Sequence, residues 1–149
     1  MTETSTIHAS AVLIGAHAVL IRGPSGAGKS RLVWDLVNTA PGQIPFARLV
    51  ADDRAFVEAR HGRLIVRAPP ELAGLLEVRG FGIRRLAYEP VAVLGLVIDL
   101  AVGDADRLPA SEAAETTIAG VTLPRLAVGP SRPALPALLA IIHTAAAGD

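Results

Sequence analysis

The octapeptide Gly23-Pro24-Ser25-Gly26-Ala27-Gly28-Lys29-Ser30 constrains the fold of this chain more than any other stretch of it. It is a full G-x-x-x-x-G-K-[ST] phosphate-binding loop, and such a loop needs a strand to deliver it and a helix to leave it. Both flanks comply. Ala18-Val19-Leu20-Ile21 is an apolar run of strand type, and Arg31-Leu32-Val33-Trp34-Asp35-Leu36-Val37 carries apolar residues at helical spacing. Glycines let the N–H groups of such a loop curl around phosphate oxygens, Lys29 reaches the β and γ phosphates, and the Ser30 hydroxyl ligates Mg²⁺. The helix N-terminus adds its partial positive charge. The pattern implies a nucleoside triphosphate.

Length and composition bound the rest. A chain of 149 residues is the size of a single domain with one core, taken here as residues 1–149. Fourteen acidic and fourteen basic residues cancel and are scattered, so no basic stripe marks a nucleic-acid partner. The absence of cysteine removes disulfides, thiolate catalysis and Cys-ligated zinc. Every long apolar run is broken by Arg, Asp, Glu or Pro before it could span a bilayer, and residues 1–6 lack a basic leader, so the expectation is a soluble, cytoplasmic protein without a membrane partner.

Around the loop the pattern predicts paired strands. Ile7 to Ile14 and Ala18 to Arg22 read as a hairpin turning at Gly15-Ala16-His17, with a helix from Lys29 to the breaker-rich Pro41-Gly42-Gln43-Ile44-Pro45. Arg48 to Ala51 reads as a strand, and Ala55 to Ala59 and Leu64 to Arg67 as a hairpin about His61-Gly62. Glu71 to Leu75 suggests a helical turn, Val91 to Leu100 a central strand, and Thr116 to Leu123 another strand. Ala134 to Ala147 suggests a helix interrupted early by Pro136. Hairpins beside a phosphate loop predict an α/β domain with a mixed, partly antiparallel sheet.

Phosphoryl transfer needs a carboxylate beside Mg²⁺ and a group that deprotonates the acceptor. Leu96-Val97-Ile98-Asp99 and Leu49-Val50-Ala51-Asp52-Asp53 both end an apolar run in acid, and pattern alone does not choose between them. Two adjacent carboxylates on extended chain point to opposite sides, so Asp52 and Asp53 could serve metal and acceptor separately. The bland alternative is a solvated turn with a local ion pair at Asp52-Asp53-Arg54. In Leu75-Leu76-Glu77-Val78-Arg79-Gly80-Phe81-Gly82-Ile83, an acid and a base two apart share a face of an extended segment, and Gly80 and Gly82 permit close backbone approach to a ligand. A strand with an exposed Glu/Arg face and a glycine bulge would look the same.

Together, the phosphate loop, the Leu-Val-Ala-Asp-Asp-Arg block at 49–54 and the Leu-Glu-Val-Arg-Gly-Phe-Gly-Ile block at 76–83 resemble the catalytic, C-terminal domain of HPr kinase/phosphorylase. Weaker matches are His8, Pro69-Pro70 and Asp106-Arg107-Leu108, so the resemblance runs from about Ile7 through nearly the whole chain. It implies a phosphoenolpyruvate carboxykinase-like sheet and ATP-dependent phosphorylation of a serine on an HPr-type phosphocarrier of the phosphotransferase system. It also implies the reverse dephosphorylation. By residue, it implies that Lys29 and the loop hold ATP, that Ser30 and Glu77 bind Mg²⁺ with Asp52 supporting them, and that Asp53 is the general base. His8 and Arg107 match family catalytic positions, the arginine suited to neutralising the transferring phosphoryl group, and Asp99 falls to a structural place in the central strand.

Three departures stand out. About six residues precede the first strand, which reads as a minimal form without the family's N-terminal domain. Residues 124–133 differ from the basic, glycine-containing loop associated with dephosphorylation. The shortened, Ala-rich C-terminal helix departs from the one that serves the family's hexameric ring. A small-molecule kinase and a nucleotide-binding regulatory module without turnover remain the alternatives that the residues leave open.

Overall fold

The computed structural model describes residues 6–102, 114–130 and 132–143. The leading hairpin forms as its apolar runs require: β2 (Ala9–Ile14) and β3 (His17–Arg22) pair antiparallel from Ala9↔Arg22 to Ile14↔His17. The expected strand from Ile7 is broken at His8. Its first residues form β1 (Thr6–Ile7), which pairs with a different strand, while Ala9 N–H donates to the Asp53 carbonyl.

After the phosphate loop, α1 (Lys29–Thr39) buries Leu32, Val33 and Leu36, one stripe at 3–4 spacing, against the sheet. β4 (Ala47–Ala51) pairs with β2, and β5 (Ala55–Arg60) with β6 (Arg63–Arg67) through a turn whose residues His61 and Gly62 both take positive φ, the geometry that two-residue hairpins favour. The short helical turn expected over Glu71 to Leu75 forms as a 3₁₀ turn at Pro70–Leu72 and ends before Leu75, which opens β7 (Leu75–Val78), paired with β8 (Gly82–Arg85) as a separate ribbon.

The long strand β9 (Ala92–Leu100) is the hub. It pairs antiparallel with β6 and parallel with β3. The single strand expected over Thr116 to Leu123 is instead a hairpin, β10 (Glu115–Ile118) and β11 (Val121–Val128), turning at Ala119-Gly120 with positive φ at both. β11 continues through Pro124 to pair parallel with β9. Residues 124–128 are therefore part of the sheet. α2 (Ala134–His143) is unbroken: Pro136 sits in its first turn, where an N–H has no helical partner to lose. The rest of the expected helix, and Asp106, Arg107 and Leu108, lie outside the described residues.

The main sheet runs β1-β5-β6-β9-β3-β2-β4, with β11 and β10 joining at β9. Alternation along β3 divides two cores. Ala18 and Leu20 pack with Val50, Leu64, Val66 and Val97, while Val19 and Ile21 pack with α1, Ile98 and Leu138 of α2. β4, at one end of the strand order, touches β6 and shares a core cluster with it, so the sheet curls on itself. The expected mixed, partly antiparallel α/β architecture is the one observed. Its consequence for the site is directional: β3, β9, β11 and β4 all run the same way. The phosphate loop, Ala101, Gly129 and Asp52-Asp53 therefore emerge along one edge.

Candidate active site

The loop is shaped by its neighbours. A Cβ at Gly23 would stand 3.1 Å from Leu100 Cβ and 3.2 Å from the Leu100 carbonyl, so a side chain there would crowd β9 where β3 turns into the loop. Gly26 and Gly28 have φ +84 and +98, left-handed conformations that glycine adopts freely, and a Cβ on either would project into open space. No side chain caps the N-terminus of α1, which leaves its first-turn N–H groups for an anion. Lys29 Nζ donates to the carbonyls of Gly23 (2.7 Å) and Pro24 (3.2 Å), folding the ammonium across the loop.

Asp52 ties this loop to three other elements. Its Oδ1 accepts from Ser30 Oγ at 2.7 Å and from Ser10 Oγ of β2 at 2.9 Å, and its Oδ2 accepts from the Glu77 backbone N–H at 3.2 Å. Asp53 N–H in turn donates to Ser10 Oγ. Ser10 was not singled out in the sequence. The signal available was a lone hydroxyl in an apolar strand, which when fully buried needs a partner.

The two acids do diverge, though not for the expected reason. They follow β4 rather than extending it, and Asp53 adopts a left-handed backbone, φ 69. That turn sends the exposed Asp53 carboxylate to His8, whose Nε2 lies 2.7 Å from Oδ1, while Asp52 stays buried. The break in the strand at His8 places this histidine beside Asp53.

β7 brings Glu77. Leu76 is buried against α1, so by alternation Glu77 faces outward into a cleft of about 570 Å³ that also exposes His8, Lys29, Ser30, Asp53 and Arg79. Arg79 stands at the β7–β8 turn, beyond the strand, so the shared extended face expected for Glu77 and Arg79 is not what unites them. Gly80 and Gly82, at φ +86 and +80, build that turn, and no ligand approach is needed to account for them. Trp34 of α1 completes one wall.

The competing acid is spoken for. Asp99 of β9 accepts from Arg22 Nε at 2.7 Å and Nη2 at 2.8 Å, and from Arg125 Nε. Burial pushes its carboxyl up, but the hydrogen bonds and charges of Arg22 and Arg125 outweigh that and hold it below the usual carboxylate range. His17, His61 and His143 stand outside this cleft, as turn or surface residues should.

The family model for the HPr Serine kinase C-terminal domain matches residues 1–147. The chain belongs to this family. HPr kinase/phosphorylase of Halalkalibacterium halodurans and that of Geobacillus thermodenitrificans are each 35% identical to it over 145 residues, covering 89% of this chain and 44% of theirs. That of Lacticaseibacillus casei is 42% identical over 84 residues, 56% of this chain. The chain spans less than half the length of these curated relatives. Among solved structures, the Hpr(Ser) kinase/phosphatase from Coxiella burnetii superposes with a TM-score of 0.73 at 22% identity, over 93% of this chain and 88% of that one, so the fold is shared.

The residues present fit ATP and Mg²⁺. The uncapped helix N-terminus and the Lys29 ammonium folded across the loop suit phosphates. Ser30 spends its proton on Asp52, which leaves its oxygen lone pairs for a cation, and Glu77 offers a carboxylate at the same cleft. Among the described residues no three acidic or histidine side chains converge as a ready-made metal cage, and no helix is long and apolar enough to cross a membrane.

Proposed function

We propose that this chain transfers the γ-phosphoryl group of ATP to a serine hydroxyl of an HPr-type phosphocarrier of the phosphotransferase system. The observation that carries this reading is the convergence on one cleft of the phosphate loop, the tethered Ser30, Glu77 and the His8–Asp53 pair. The loop amides and Lys29 hold the triphosphate, Lys29 exchanging its contacts with the Gly23 and Pro24 carbonyls for phosphate oxygens. Asp52 acts through Ser30: two hydroxyls and one amide fix its carboxylate, which fixes the rotamer of Ser30. Ser30 and Glu77 would hold Mg²⁺, which supplies charge neutralisation on the phosphates.

Asp53 is the base. Its exposed Oδ takes the proton of the acceptor serine as that oxygen bonds to phosphorus and the bond from phosphorus to the bridging oxygen of ADP breaks. His8 orients this carboxylate through Oδ1 and leaves the second oxygen for the acceptor. Arg107 remains the candidate cation for the transferring group. In dephosphorylation, an oxygen of inorganic phosphate would bond to the phosphoserine phosphorus as the serine O–P bond breaks, giving pyrophosphate, and protonated Asp53 would return its proton to the departing serine oxygen. Incubation with γ-labelled ATP, Mg²⁺ and a purified HPr-type phosphocarrier tests the forward reaction. Labelled phosphoserine on the carrier is expected. Label on a small hydroxyl compound alone, or no transfer at all, would sink the assignment.

A further inference from the structure

Phosphates, cation and base do not account for the whole of the larger cleft. Trp34 of α1 and Val78 and Arg79 of the β7–β8 ribbon line it too, and none of the roles assigned above uses them. Trp34 follows Ser30 by four residues, so the two side chains share one face of α1, a turn apart. This is not the buried stripe: Leu32, Val33 and Leu36 make the core contacts, and Trp34 stands outside both core clusters. The fold thus leaves the largest side chain of the helix 37% exposed in the cleft that holds Asp53. Its indole N–H has no acceptor among the described residues.

Given that the chain phosphorylates a serine of a protein, we propose that Trp34 and Val78 hold an apolar side chain next to that serine, which makes Trp34 a determinant of acceptor choice. A phosphate end and Mg²⁺ gain nothing from an indole face or a valine. An acceptor chain that brings its serine to Asp53 must lay the neighbouring residues along the cleft, where these two side chains stand. Tryptophan offers a large apolar surface, few rotamers and one N–H donor, so it can grip a side chain and bond to the adjacent peptide carbonyl. Arg31 and Asp35 flank it on the helix and pair with each other at 3.2 Å, which leaves no unbalanced charge on α1 beside the ring. Arg79 adds a cation at the rim, so a neutral polar residue rather than a charged one is the fair comparison for an apolar neighbour of the serine.

Two versions of a purified, tryptophan-free HPr-type phosphocarrier, with leucine or with asparagine at both residues flanking the serine, test this with γ-labelled ATP and Mg²⁺. The leucine carrier is expected to show a KM about tenfold or more below that of the asparagine carrier, the discrimination that an apolar group commonly gives. Trp34→Ala should cut that ratio to within about threefold while ATP affinity, by calorimetry, stays within about twofold, and Trp34→Phe should restore most of the ratio. A second arm does not depend on transfer. Trp34 is the only tryptophan of the chain, and its emission should shift to the blue when the leucine carrier is added with Mg²⁺ and β,γ-imido-ATP, and less with the asparagine carrier. Equal KM for the two carriers, or a ratio that survives Trp34→Ala, overturns the proposal. Should Trp34→Ala not fold, an emission that ignores the leucine carrier overturns it. If neither carrier acquires label, the kinase reading fails, and the emission then decides the surface by itself: a shift with the leucine carrier supports it and none overturns it.

Discussion

Replacing Asp99 by Asn distinguishes a structural acid from a magnesium ligand, because the two roles fail in different observables. Asp99 ends the strand beside the one that delivers the phosphate loop, a place where many nucleotide hydrolases keep a metal-binding carboxylate. Here it accepts from both Arg22 and Arg125, whose side chains are 31% and 13% exposed. Asparagine retains one acceptor oxygen and presents an NH₂ to guanidinium donors, so at least one charged hydrogen bond is lost and both arginines lose the negative charge of Asp99. Breaking a buried ion pair by removing one partner costs about 3–5 kcal/mol, and the partial solvation of Arg22 puts the expected loss near about 3 kcal/mol.

The pH dependence has a definite sign. Two arginines hold the folded carboxyl below its unfolded value, so its contribution is fully present above the unfolded pKa and is lost as pH falls through the folded one. Urea unfolding of the unmodified protein and of Asp99→Asn should therefore differ by a constant amount from about pH 8 to about pH 5, and converge below about pH 4. Half-saturation by Mg²⁺ in nucleotide binding should be unchanged. A stability loss under about 1 kcal/mol, together with a raised Mg²⁺ requirement, would refute the structural assignment and return Asp99 to the metal.

Asp53→Asn should lower the transfer rate about 10²–10⁴-fold with ATP affinity retained, measured by phosphoserine formation beside calorimetry. Asparagine tolerates the left-handed backbone at this position, so an unchanged melting temperature is part of the expectation. Ser10→Ala removes a donor to Asp52 and the acceptor of the Asp53 N–H. It should cost about 1–3 kcal/mol of stability and raise the Mg²⁺ concentration for half-maximal activity, and a fall in stability alone would argue against Asp52 acting through Ser30. Gly74→Ala adds a Cβ 2.9 Å from Tyr88 Cδ1 at φ +78, and a loss of about 2 kcal/mol in chemical denaturation is expected, with loosening of the β7–β8 ribbon.

What the sequence disclosed and what it withheld follow from the range of the forces involved. The β3–loop–α1 unit was legible because the motif, the apolar run and the helical stripe are all local. The partner of Asp99 was not legible, since Arg22 and Arg125 lie 77 and 26 residues away and nothing in their neighbourhoods announces a shared acceptor. The hairpin at Ala119-Gly120 was missed for a local reason: alanine, unlike Asn or Asp, gives no turn signal, yet here it carries φ 49.

The Asp52-Asp53 pair shows how two carboxylates can separate by a geometry other than the one expected. Strand alternation would separate the two carboxylates, but it would also commit Asp53 to the pairing of β4 and leave His8 inside an unbroken β2. The observed left-handed turn releases Asp53 from the sheet, and its carbonyl takes the Ala9 N–H at the point where the first strand breaks. The same turn thus presents the proposed base and brings His8 to its carboxylate. A variant that relaxed this residue into extended chain is expected to lose the His8 contact while keeping both acids.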